Sequence, residues 1–145
     1  MNLIDRLENG SFMMEEDVFQ FITYSINREV PILLFINMSS VQFLNKFIPI
    51  YSQIDKNRIK DNSLSPEEWN QFDLKMNELY NAPLWLNDIE VNSVDDYKSA
   101  EEVVVNEKIK YVFIDSIPET IDKSEIIKWS EEVGFNVYFI RLTLE

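Results

Sequence analysis

The sequence predicts an α/β domain in three layers, with helices on both faces of a mostly parallel sheet. Three observations predict it. Four apolar runs, within "PILLFI", "PLWLN", "YVFID" and "NVYFI", are short and continuous, as strands buried on both faces are. Segments of helical periodicity separate them, and strands alternating with helices require crossovers and hence parallel pairing. The 145 residues, 46% hydrophobic and 13% aromatic, suffice for one core, so residues 1–145 are read as a single domain.

From Met13 to about Asn27, Val18, Phe19, Ile22 and Ile26 recur at helical spacing, and Glu15, Glu16 and Asp17 favour the positive end of that helix. "VPILLFIN" is the first strand. Ser39 to Gln42 has the form of a capping box, and Val41, Leu44, Phe47 and Ile48 continue a helix that Pro49 is expected to disturb. Gln53 to Asn62 is polar and predicts a short helix or turns. In "SPEEW", Ser65 is an N-cap, Pro66 takes the first helical position and Glu68 reaches back; Trp69, Phe72, Met76 and Leu79 then share a face.

Pro83 precedes a strand at Leu84–Asn87, with Asp88 beyond it. Ser93 and Asp96 cap a helix predicted to run to about Glu107, with Val94, Tyr97, Ala100 and Val104 inward. Tyr111 to Asp115 is the third strand. Asp122 to Glu125 has the form of a capping box and opens a helix with Ile126, Ile127, Trp129 and Val133 on its apolar face, which Gly134 stops. "NVYFIRLTL" is the last strand. The aromatics Trp69, Phe72, Trp85, Tyr97, Tyr111 and Trp129 have no interleaved Lys or Arg, so they read as core and not as base-stacking platforms.

Composition removes whole classes of chemistry. Histidine and cysteine are absent, so there is no imidazole base, no thiolate nucleophile, no disulfide and no metal site built on either. The lack of cysteine fits a reducing, cytoplasmic compartment. No apolar run is long enough to cross a bilayer, and the first residues lack the basic and apolar regions of a secretory signal. Twenty-six acids against 13 Lys and Arg give a net charge of −13, which repels a phosphate backbone. Only Lys56 to Lys60 is locally basic, between Asp55 and Asp61. The two glycines, Gly10 and Gly134, are far apart, so no register supplies the glycine-rich phosphate cradle G-x-x-x-x-G-K-[ST].

Five stretches in order resemble the RecA-like C-terminal ATPase domain of DnaB-type replicative helicases, across roughly Val30 to Glu145. "PILLFINMSSVQFL" resembles the family's F-S-L-E-M-S strand and the helix after it, with Met38, Ser39 and Gln42 matching. "IDKNRIKDNSLSPEEWNQF" is similar to its I-x-x-x-x-[IL]-R-x-G-x-L-x-x-x-[DE]-W region through Ile59, Lys60, Leu64 and Trp69. "APLWLND" resembles P-L-[YW]-I-D-D, with Asp88 retained. "KIKYVFIDSIPE" resembles the Walker B line L-I-x-I-D-Y-L-Q, and the segment from Ile126 to Glu145 resembles the closing strand with its sensor.

The resemblance implies a P-loop NTPase fold and assigns roles to individual positions. The Walker A lysine belongs near Met14 or Glu15, where no Gly-Lys-Thr stands. The family's catalytic glutamate falls on Asn37, whose amide cannot polarise water as a carboxylate does. The sensor glutamine falls on Leu142 and the arginine after it on Glu145. Walker B Asp115 alone is kept, as a structural residue or a relic; without phosphate ligands a lone carboxylate holds Mg²⁺ feebly.

The expectation is a non-catalytic pseudo-ATPase that needs no ATP or Mg²⁺ and acts through protein contacts, with a replicative helicase or with itself as partner. Three alternatives accompany it. One is a decayed stand-alone domain. Another is a phospho-acceptor domain of receiver type, for which Asp5, Glu8 and Arg141 are poor matches. The third is an acidic mimic of nucleic acid. A carboxylate pair of the glycosidase kind is singled out nowhere.

Overall fold

The computed structural model describes residues 7–143. Four parallel strands, β1 (Ile32–Phe35), β2 (Leu84–Asn87), β3 (Tyr111–Asp115) and β4 (Asn136–Ile140), form one sheet in the order β2-β1-β3-β4. Register follows from the pairs Leu33 with Trp85, Leu33 with Val112 and Phe113 with Tyr138. A short segment extends the sheet beyond β4. Phe12 bridges Phe139 in parallel, with Met13 N–H donating to Phe139 O at 2.9 Å and Gly10 N–H to Val137 O at 2.8 Å.

Side chains alternate across the strands and load both faces with apolar groups. Ile32, Leu34, Phe113, Tyr138 and Ile140 pack under helices α1 (Glu15–Asn27) and α2 (Ser40–Ser52), through Val18, Phe19, Ile22, Phe43 and Phe47. Leu33, Phe35, Val112, Ile114, Val137 and Phe139 pack under α5 (Val94–Lys98), α6 (Glu101–Asn106) and α7 (Lys123–Val133), through Tyr97, Val104, Ile126 and Trp129. Helices α3 (Lys56–Lys60) and α4 (Pro66–Tyr80) lie outside the two main layers, with α4 against α2. The three-layer parallel α/β arrangement expected from the sequence is therefore present.

Several expectations need correction. Met13 is not helical; its N–H donates to β4, and α1 begins at Glu15. Pro49 does not end α2, which continues to Ser52, because one missing N–H bond is outweighed by the buried anchors Phe47 and Tyr51 on either side. The helix expected from Ser93 to Glu107 is two short helices broken at Ser99 and Ala100. The last strand stops at Ile140, since Arg141 turns out to solvent.

Of the six aromatics read as core, Tyr97 and Trp129 are buried. Trp85 and Tyr111 are half-buried against the two clusters, while Trp69 and Phe72 are half-buried on α4, which buries none of its residues. Asp5 and Glu145 lie outside the described residues.

Candidate functional site

Asp115 closes β3 at the carboxyl end of the sheet, between β1 and β4, and is only 5% exposed. A buried carboxylate must be hydrogen-bonded, and this one accepts three bonds. Asn37 N–H, just past β1, donates to Oδ2 at 2.9 Å. Leu142 N–H, just past β4, donates to Oδ1 at 2.9 Å, and Ser116 Oγ–H donates to the same oxygen at 2.8 Å.

The three positions singled out by resemblance, Asn37, Asp115 and Leu142, thus converge, and they meet through backbone. Asn37 exposes its side chain, whereas Leu142 buries its own in the core under α1 and α2. Tyr97 of α5 joins Asn37, Asp115, Ser116 and Pro118 around a cleft of about 260 Å³. Burial, and after it the charges of Asp115 and Asp96, push the Tyr97 phenol up to about 12.

The expected Walker A position lies beside this end of the sheet. Phe12 is the residue that bridges β4, Met13 N–H donates to Phe139 O, and Glu15 is already the first helical residue, so strand and helix are joined by Met13 and Met14 alone. Met14 is 57% exposed and gives the helix no side-chain cap. The first turn of α1 carries Glu15, Glu16 and Asp17.

Glu15 folds back over the strand ends, where it meets Lys46 Nζ of α2 at 2.9 Å and accepts Thr143 N–H at 2.9 Å. Lys46 also donates to Thr143 O at 2.6 Å and to its Oγ1 at 2.7 Å. Burial pushes the Glu15 carboxyl up, but the bonds from Thr143 and Lys46 together outweigh it and hold the group below the usual glutamate value. A carboxylate, an ammonium and a strand-end amide therefore close on one another here.

Asp88 supports the start of α2. It accepts Ser40 N–H at 3.2 Å and Ser40 Oγ–H at 3.3 Å, beside the capping box in which Ser39 and Gln42 exchange bonds of 3.1 and 3.0 Å. Among the described residues no group of three or more His, Cys, Asp or Glu side chains is placed to hold a metal ion, and no helix is long and apolar enough to cross a membrane.

Lys46 and Thr143 had no sequence signal as members of this site. Thr143 lies 128 residues from Glu15, and only the parallel topology brings the end of β4 beside the start of α1.

Comparison with solved structures agrees with this geometry. A solved ATPase domain superposes with a TM-score of 0.77 at 13% identity, over 92% of this chain and 56% of that one. A DnaB-like replicative helicase, described with its interactions with primase, superposes with a TM-score of 0.70 at 14% identity, over 90% of this chain and 38% of that one. The chain thus spans little more than half of the first and less than half of the second. At such identities the likeness is one of fold, the RecA-like parallel α/β sheet of helicase ATPase domains. No curated protein matches the sequence. The model of the DnaB-like helicase C-terminal domain matches residues 10–133, most of the chain, and the protein belongs to that family.

Proposed function

We propose that this chain is a non-catalytic member of the DnaB-like family that works through protein contacts, with a replicative helicase or a second copy of itself as partner. The observation that carries this reading is the two-residue connection Met13–Met14, followed at once by a salt-bridged Glu15. A triphosphate needs a loop of backbone N–H groups and a free cation. Here the loop has no room, three acids occupy the first turn, and Lys46 is held by Glu15.

Asp115 adds further support, since both of its oxygens are engaged by protein donors. Asn37 and Leu142 offer an exposed amide and a buried alkyl group where the resemblance places a catalytic glutamate and a sensor glutamine. These residues do not fit Mg²⁺-ATP. A protein partner is also in keeping with one structural neighbour, a DnaB-like replicative helicase described with its interactions with primase.

Thermal unfolding with and without millimolar Mg²⁺-ATP tests the reading. A ligand at a hundred times its Kd adds about 2.7 kcal/mol to the native state, a rise of several degrees in Tm. The expected result is no change in Tm and no phosphate release. A saturable rise, or turnover above a blank, overturns the proposal. Co-purification with the host's replicative helicase, insensitive to ATP, is the expected positive result.

A further inference from the structure

We propose that Asn9–Gly10 is a site of spontaneous covalent modification, deamidation of the asparagine, which the folded edge segment suppresses and local opening of that segment releases. Asn9 is the one asparagine of the chain that glycine follows. Asparagine is chemically labile, and a following glycine makes it most so, because no Cβ hinders the approach of the next backbone nitrogen to the side-chain amide.

The fold requires both residues. Gly10 has φ +88°, and a Cβ there would stand 2.5 Å from Ile127 Cδ1. Asn9 needs an acceptor and a donor on one short side chain. Its Oδ1 accepts Val137 N–H at 2.7 Å, and its Nδ2 donates to Ser130 Oγ at 2.8 Å. Ser130 is fully buried and already donates its own proton to Ile127 O at 2.6 Å, so its oxygen can only accept. An amide N–H fits that oxygen and a carboxylate does not.

In the reaction Gly10 N gives up its proton and bonds to Asn9 Cγ. The Cγ–Nδ2 bond breaks, and ammonia leaves with that proton. Water then opens the cyclic imide at either carbonyl, giving aspartate or isoaspartate. Each reacting group is held in the folded chain. Gly10 N–H donates to Val137 O at 2.8 Å, while the N–H of the same Val137 holds Asn9 Oδ1 and Ser130 holds the leaving nitrogen. Ring closure therefore needs this end of the segment to lift from β4.

The change is one-way. Aspartate sets a carboxylate against the Ser130 oxygen. Isoaspartate adds a main-chain carbon before Gly10, which shifts Gly10, Ser11 and Met13 out of register with Val137 and Phe139. A molecule that opens long enough to react is thus left with its edge segment loosened.

The test is mass spectrometry of a digest after incubation in mildly alkaline buffer, with and without denaturing urea, with isoaspartate counted by an isoaspartyl methyltransferase. In urea the pair should react as fast as in a free peptide spanning Leu7 to Met13, and in the folded chain at least about tenfold more slowly. Ser130→Ala should speed the folded reaction about threefold or more and leave the rate in urea unchanged. Leu79→Ala, remote on α4, should lower the urea midpoint without changing the folded rate, since local opening exposes the pair. Asn9→Asp, one product made directly, should lower the urea midpoint by about 0.5 M and speed chymotrypsin cleavage after the exposed Phe12.

Four results overturn the proposal: no conversion in urea, a folded rate within about twofold of the urea rate, a Ser130→Ala rate equal to the wild type, or equal acceleration by Leu79→Ala. Asn9→Asp with the wild-type midpoint and cleavage rate refutes the loosening. Circular dichroism confirms that each variant is folded, and the wild-type comparison decides the matter if one is not.

Discussion

Replacing Asp115 measures what this carboxylate does. In Asp115→Ala, the N–H groups of Asn37 and Leu142 lose their acceptor, while the Ser116 hydroxyl, half-buried, can turn to water. An orphaned buried donor costs about 1–3 kcal/mol, so two cost roughly 2–6 kcal/mol. Relief from burying the carboxylate offsets part of this, leaving about 3 kcal/mol. Asp115→Asn keeps the shape and one acceptor oxygen but turns an N–H₂ toward one of the two donors, for a loss of about 1–3 kcal/mol. Urea unfolding reads both values. With a slope of about 1–3 kcal/mol per molar, the alanine variant should unfold at a midpoint roughly 1–3 M below the wild type, with the slope unchanged and the asparagine variant in between. The reasoning is refuted if both variants stay within about 0.5 kcal/mol of the wild type. It is also refuted if Mg²⁺ stabilises the wild type and that gain disappears in Asp115→Asn, for then the carboxylate is a metal ligand.

Pro49→Ala should stabilise the protein by about 1–2 kcal/mol, because it restores an interior α2 hydrogen bond and loses only the proline's restriction of the unfolded chain; calorimetry checks it, and a lower Tm contradicts it. Gly10→Ala should destabilise by about 1–3 kcal/mol, since φ is +88° and an added Cβ would stand 2.5 Å from Ile127 Cδ1. Gly134→Ala, at φ +102° with open space around its Cβ, should show the backbone strain alone, and Ile127→Ala should rescue only the Gly10 variant. Gln53→Gly and Lys108→Gly, at φ 59° and 55°, should each stabilise by about 0.5–1 kcal/mol in urea titrations.

Acid should weaken the fold as well. The Arg58 hydrogen bond, ahead of other causes, holds Glu68 at about 2, and Glu15 and Glu78 also lie below their ordinary value of 4.5. Groups lowered by folding add stability that is complete above their unfolded pKa and is lost as pH falls through the folded one. Urea midpoints should therefore hold above about pH 5 and decline between about 4.5 and 2, more gently in Glu15→Gln; a flat or rising profile contradicts this.

The strands and the capping boxes at Ser39 and Ser65 were legible because each is written locally; at Asp122 the expected box is not formed, since the Asp122 carboxylate takes Ser124 N–H and Glu125 does not reach back. Ser65 and Glu68 exchange the bonds their spacing predicts, at 3.2 and 3.0 Å, and the four apolar runs are the four strands. Helix ends were less legible for a reason particular to this chain. With two glycines, it uses Glu29, Gln53, Asn62 and Lys108 as left-handed residues after helices, and only Gly134 carries the usual stop signal. The break at Ser99 and Ala100 was hidden because Tyr97, Ala100 and Val104 fall inward at helical spacing whether or not the turns are continuous. At the site, sequence singled out Asn37, Asp115 and Leu142 but assigned them by side chain, whereas their contact is made by backbone N–H groups that no side-chain pattern encodes.

That contact also gives Asp115 a reason to stand where it does without any bound metal. Parallel strands ending side by side leave amides past their last ladder bonds, and those of Asn37 and Leu142 lie on either side of β3 with no strand continuing to accept them. One carboxylate on the central strand satisfies both, and a neutral side chain of similar size has at most one acceptor oxygen facing two donors. Glu15 plays the matching part at the neighbouring strand end, where it accepts Thr143 N–H and neutralises Lys46. The two acids thus seal the end of the sheet from within, one between β1 and β4 and the other between β4 and α1. Glu15→Lys should then be more damaging than Glu15→Gln. It sets two ammonium groups together and leaves Thr143 N–H unpaired, whereas glutamine keeps an acceptor. Glu15→Lys unfolding in urea at the wild-type midpoint would show that no seal exists.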